Sequence, residues 1–371
     1  MVARASQAAH TAFIKAPPVI PDRDTVPFSW YVTCGMPAYA LLAEVRFDRI
    51  FTEAEAIIEA FDQGEPKARA LFGPEVRYGG PGWAGISYGH VNCLGAPLIF
   101  PEDSEVAMQP IHGSMDEGIA ALERPVNWAE TGMMPFYLDL WARLKKAYPD
   151  KAIPFSGFGL EGPITTAWEL RGHDFFTDPY EDAAKYGLYL ELVTRSIADY
   201  AGFLRQVNGQ PARSPDGALM CDDISAFFNP AKWPDWILPW QDLYFSLQSD
   251  GPRHAHIEGM VPDHLHHLDT LGLAMFDPSV SPRLRATDLR DRCRVPFQWR
   301  LNSMQVRDFS VAQIRQYVLA GVADGASGVF LNLIRDTVTR DSVPKVHAFM
   351  AAAREVERRL HDGCPRHRLL D

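Results

Sequence analysis

Residues 218–277 read ALMCDDISAFFNPAKWPDWILPWQDLYFSLQSDGPRHAHIEGMVPDHLHHLDTLGLAMFD. Three short apolar runs stand out: ALMCDDI (218–224), PRHAHIEG (252–259) and LAMFD (273–277). Each leads straight into polar residues, and stretches of helical spacing at 231–249 and 261–271 separate them. Strand, helix, strand in succession predicts parallel pairing, because a parallel partner needs a crossover and cannot be reached by a tight turn.

The alternation extends outward from there. Helical spacing recurs near 52–72, 114–122, 135–148, 179–206, 310–325 and 343–360. Strand-length runs recur at IPFSGFGL (153–160), VPFQWRL (295–301) and GVFLNLI (328–334), with early strands near 29–33 and 84–88. The pattern predicts an α/β chain folded as a (β/α)8 TIM-type barrel with an N-terminal helical extension. A doubly wound sheet is the alternative. The divisions expected are an arm and helical extension over 1–75, a barrel over 76–362 and a tail over 363–371.

A chain of 371 residues with 47% hydrophobic and 22% charged residues can bury a core that needs no disulfide or metal. Five scattered cysteines (Cys34, Cys93, Cys221, Cys293 and Cys364) without CxxC spacing predict a reducing compartment and no zinc ribbon. The first stretch lacks the apolar core of a signal peptide and no run reaches the length of a membrane span, so a cytoplasmic protein without a membrane partner is expected. The net charge of −11, with no basic stripe interleaved with aromatics, argues against nucleic acid as a partner. The aromatics of WPDWILPWQDLYF (233–245) are candidates for a homodimer interface.

In such barrels the chemistry gathers where the strands end. The polar residues there are Asp222 and Asp223, His256 and Glu258, Asp277, Arg300 and Asn302, Asn332 and Arg335. Alternation puts His254, His256 and Glu258 on one strand face. His256 and Glu258 can ligate zinc, or act as a general base with an orienting partner; a structural hydrogen-bonded pair is the plainer reading. Of Asp222 and Asp223 only one can project inward, and Asp223 is favoured; a helix-capping role is the competing reading. His264, His266 and His267 follow on a helix, where 266 and 267 diverge by about 100°. A solvated face is expected for that pair. GFGLEGPITTAWELRG (157–172) lacks the spacing of a phosphate loop and reads as a turn into a helix near Pro163.

Several segments together resemble the uroporphyrinogen decarboxylase superfamily, which includes corrinoid-linked methyltransferases. They are YGHVNCLGAPLIFPEDSEVAMQPI (88–111), EGPITTAWELRGHDFFTDPYEDAAKY (161–186) and CDDISAFFNPAKWPDWILPWQDLYF (221–245). Next come His256-Ile257-Glu258-Gly259, where the family has H-x-C-G, and the last helix after VPKVHAFMAAA (343–353). The resemblance implies a (β/α)8 barrel and adds Tyr88 to the strand-end residues Asp222, Arg300, Asn302 and Asn332 as substrate-binding candidates. Porphyrinogen decarboxylation is disfavoured, because FSWYVTCGMPAYAL (28–41) has no Arg or Lys to neutralise a polyacid.

The methyltransferase branch holds zinc with the His and Cys of H-x-C and a later Cys. Here Glu258 replaces the first Cys, and no cysteine occurs between 294 and 363. Zinc could then be held only by His256 and Glu258, in a harder site. The resemblance therefore implies a substrate-side methyltransferase, a demethylase that moves a methyl group between a methoxy, amine or thiol donor and a separate corrinoid protein. Asp223, His256 and Glu258 are the candidate catalytic residues. No D-x-H-x-x-G corrinoid loop occurs in the chain, so the carrier is a partner. Two alternatives stay open: a cofactor-independent decarboxylase or lyase with His256 as acid/base and Arg300 on a carboxylate, and a non-catalytic binding barrel.

Overall fold

The computed structural model describes residues 20–371, so the first nineteen residues of the expected arm lie outside the described residues. Among the described residues there are nine strands: β1 (Ser29–Cys34), β2 (Arg77–Tyr78), β3 (Leu98–Ile99), β4 (Ala107–Met108), β5 (Ala218–Cys221), β6 (Arg253–His256), β7 (Met275–Asp277), β8 (Gln298–Arg300) and β9 (Gly328–Leu333). All pair in parallel except β3 and β4, which form a short antiparallel hairpin. One sheet has the order β2-β1-β9-β8 and another the order β5-β6-β7.

Single parallel bridges continue the pattern, Phe276 to Phe297 between the β7 and β8 segments and Ile86 to Phe158 between the two glycine-rich segments. The Gly162 amide donates to the Cys221 carbonyl beside β5. The chain is therefore an α/β fold with parallel sheets. β1 lies on the N-terminal side of the boundary drawn at 75/76, yet it pairs along its whole length with β9. The sheet thus draws on both sides of that boundary.

The helices carry their own stop and start signals. Asp182 caps the long helix Ala183–Val207 by accepting from the amides of Ala184 and Lys185. Ser310 and Gln313 form a reciprocal capping box on Val311–Ala323. Three short helices, Met36–Ala43, Ala286–Arg292 and Ser303–Asp308, fall where no helical spacing is visible. With fewer than three turns each, they show too few repeats for a period to emerge. No helix among the described residues is long and apolar enough to cross a membrane.

The aromatic segment 233–245 is not a surface. Trp233 is fully buried, and Trp240, Tyr244 and Phe245 are at most 4% exposed. They fill a core shared with Tyr189, Ile164 and Phe276, with Trp236 partly buried against it, so these buried aromatics offer no dimer interface. His264 and His267 are likewise buried against the Trp233 ring, at 5.0 and 5.6 Å between centroids. They join neighbouring loops to this core through the carbonyls of Phe228 and Pro230. Only His266 faces solvent, so the solvated-face expectation holds for one member of its pair.

Candidate active site

Parallel strands end on the same edge, and here that edge gathers charge. Along β6 and its extension, Arg253, Ala255 and Ile257 are buried, whereas His254, His256 and Glu258 are not. The alternation turns His256 and Glu258 to one side. Gly259, at φ 76°, then bends the chain away through a conformation that favours glycine.

The His256 imidazole sits among three carboxylates. Its Nδ1 lies 2.9 Å from Asp277 Oδ2. Its Nε2 faces Glu258 Oε1 at 3.6 Å and Asp223 Oδ1 at 3.7 Å. A carboxylate only accepts, so Asp277 places a proton on Nδ1 and fixes the ring orientation. Asp277 is itself held, because Ser279 donates to it from both its amide and its hydroxyl. Ser279 keeps a left-handed φ of 29°, a strained conformation that these contacts hold in place.

Burial alone would depress the His256 pKa. The hydrogen bond and charge of Asp277, with the charges of Asp223 and Glu258, outweigh it and raise the value above the ordinary range. The separations at Nε2 are too long for direct hydrogen bonds, so the two carboxylates act on that nitrogen through their charge. Asp223 also accepts the Glu258 amide at 2.8 Å, tying the two strand ends together. Burial and the Asp223 charge push Glu258 upward in turn. Arg300 Nη1 lies 3.6 Å from Glu258 Oε1, and its Nε is buried without a partner.

The remaining candidates are placed differently. Asp222 is fully buried, and its Oδ1 accepts the Ile164 and Thr165 amides at 3.0 and 2.8 Å. Gln241 donates to its other oxygen at 2.8 Å. Asp222 therefore caps the helix Pro163–Arg171 rather than facing the site, and it caps the preceding unit, not the downstream turn. It is packed so closely that a Cβ on Gly162 would lie 2.7 Å from its carboxyl carbon. Asn302 caps Ser303–Asp308 in a box with Gln305. Asn332 accepts from the Thr33 hydroxyl at 2.7 Å, across the β1–β9 pair.

Tyr88 lines a cavity of about 340 Å³ next to the His256 cluster. Asp223 belongs to both, and Glu161, Glu169, Glu105, Trp168 and Thr165 complete much of the wall. Burial pushes Glu161 up to about 7, against a hydrogen bond from Ser87 and with the charges of Asp223 and Asp222 adding to it. Glu169 is raised further, again by burial first. The sequence reading singled out neither glutamate. Glu161 stands one residue beyond the run 153–160, and Glu169 interrupts the buried face of Pro163–Arg171.

The donor set does not fit zinc. Among the described residues no three His, Cys, Asp or Glu side chains are grouped to hold a metal. Cys221, the nearest cysteine in sequence, is driven far from the thiolate by burial and by four neighbouring carboxylates.

Compared with solved structures, the chain is similar to a methyltransferase from Methanosarcina mazei, with a TM-score of 0.62 and 15% sequence identity. The match covers 94% of this chain and 97% of that one. At that identity the likeness establishes the fold. No family model matches the chain, and no curated protein matches it.

Proposed function

We propose that the chain is a uroporphyrinogen-decarboxylase-like methyltransferase that passes a methyl group from a small-molecule donor to a corrinoid carried by a separate protein. In this reading the parallel segments close into a (β/α)8 ring, whose weakest links are the single bridges at Ile86 and Phe276. The likeness to a protein named a methyltransferase, over nearly the full length of both chains, supports the fold part of the reading. The observation that carries the chemistry is the clamped imidazole, with Asp277 at Nδ1 and an open Nε2 between Asp223 and Glu258.

The corrinoid would supply the nucleophile that accepts the methyl group. The bond from the donor heteroatom to its methyl breaks, and the electron pair stays on the heteroatom. An ether oxygen needs a proton as it leaves, and an amine leaving neutral can take one afterwards; His256 Nε2 is positioned to deliver it. Asp223 and Glu258 stabilise the imidazolium before transfer, and Asp277 keeps the ring aimed. Arg300 balances Glu258.

The lyase reading needs a carboxylate substrate. Such a substrate would meet one guanidinium, already beside Glu258, against the carboxylates of Asp223, Asp277 and Glu161. Like-charge repulsion in a half-buried site disfavours it.

Mixing the protein with reduced free corrinoid and a panel of methylated amines, aryl methyl ethers and thioethers, and following the corrinoid spectrum, tests the proposal. Methylated cobalt is expected with one donor class; none with any class sinks the reading. Asp277→Asn should lower the rate about ten- to a hundredfold. It should also move the high-pH fall in rate to lower pH, because the proton donor loses the carboxylate that raises its pKa. An unshifted pH profile would contradict the role given to Asp277.

A further inference from the structure

We propose that the cavity bounded by Glu161, Glu169, Tyr88 and Trp168 recognises a small organic ammonium group, which makes the methyl donor a methylated amine. The donor part rests on the methyl-transfer reading; the cation site does not.

Among the described residues the cavity holds four carboxyl side chains, Glu105, Glu161, Glu169 and Asp223, and no Arg or Lys lines it. Glu169 is the decisive member. Its residue is 2% exposed, and among the described residues its carboxyl makes no hydrogen bond or ion pair. A buried, unpartnered carboxyl costs stability, and one kept at the wall of a cavity points to a ligand that completes it. Glu161 stands two residues before the helix Pro163–Arg171 and Glu169 lies in its second turn.

The rest of the wall selects an organic cation over a metal ion. Trp168 and Tyr88 contribute aromatic side chains, and Ile86, Val106 and Ile224 contribute apolar ones. Aromatic faces attract alkylated ammonium groups, whereas a divalent metal needs converging oxygen ligands that this wall does not supply. The volume of about 340 Å³ suits a ligand of few heavy atoms. The position is productive, because Asp223 is shared with the His256 centre, beside which an ammonium donor would leave as a neutral amine that His256 can then protonate.

Titration follows the same geometry. Glu161 faces Ser87, Asp222, Asp223 and His256, and Glu169 faces Glu161, Asp222 and Tyr88. A bound cation favours the ionised carboxyls, so affinity should increase as pH rises through about 7, where Glu161 loses its proton.

Isothermal titration calorimetry of the full chain with tetramethylammonium chloride tests the site, with tert-butanol as the uncharged control. Saturable binding of the cation and none of the alcohol is expected. Above pH 7, Glu161→Gln should weaken it about tenfold, the loss of one close charge in a partly screened site, and Glu169→Gln should weaken it as well, because only the glutamate can ionise beside a bound cation. Both variants should stay folded by circular dichroism, because each replaces a buried acid with a neutral isostere. Absent cation binding, equal binding of tert-butanol, displacement of the cation by magnesium, or unchanged affinity in both folded variants would each overturn the proposal. Cation binding without any methyl transfer would leave this site standing and sink the methyl-transfer reading; transfer from neutral donors alone would do the reverse.

Discussion

Replacing His256 with Ala is expected to lower methyl transfer roughly a hundred- to ten-thousandfold, the usual worth of a positioned proton donor. The change removes the imidazole whose Nε2 lies within 3.7 Å of both Asp223 and Glu258. The fold should survive, because the side chain is one-fifth exposed and its partners are site carboxylates rather than core. Without the imidazolium, those carboxylates repel one another and an anionic leaving group most of all. The rate loss should therefore be larger for poor leaving groups than for good ones, while donor binding changes little. A uniform rise in KM with kcat retained would show that His256 only binds.

Asp222→Ala is expected to act on the other axis, destabilising the protein by about 3 kcal/mol through two uncapped amides and a buried glutamine left without its acceptor. Thermal melting should show a loss of several degrees. Asp222→Asn is the informative companion. Its carbonyl can still accept the Ile164 and Thr165 amides, and its amide can reach Gln241, whose Oε1 is buried without a partner. Most of the stability should return with KM unchanged. Normal stability together with a large rise in KM for Asp222→Asn would restore the substrate-binding role that its burial argues against.

The contrast between these neighbours shows what was legible beforehand. Strand alternation told that Asp222 and Asp223 face opposite ways, and that His256 and Glu258 face the same way, because a period of two is a property of the backbone alone. Where Asp222 goes was not legible: its partners Thr165 and Gln241 are 57 and 19 residues distant. Asn302 was legible in principle, since Asn followed three residues later by Gln is a capping box. Glu161 and Glu169 were invisible as a pair because they meet Tyr88 and Asp223 only across the folded edge. The segments 84–88 and 153–160 have the composition of strands but retain one bridge between them, since glycine-rich chain twists out of register. The histidines of 264–267 misled through their charge potential. Burial holds His264 and His267 below the ordinary range, and carbonyl contacts give them structural work.

The central claim is that three carboxylates hold His256 as a charged proton donor in a site otherwise rich in acids. Nitrogen NMR of the histidine rings across pH, assigned by comparison with His256→Ala, tests it most directly. His256 should carry protons on both ring nitrogens at pH values where an ordinary histidine has lost one, and Asp277→Asn should bring its titration back down. A His256 that titrates below the ordinary value of 6.5, or remains a single neutral tautomer throughout, would contradict the account.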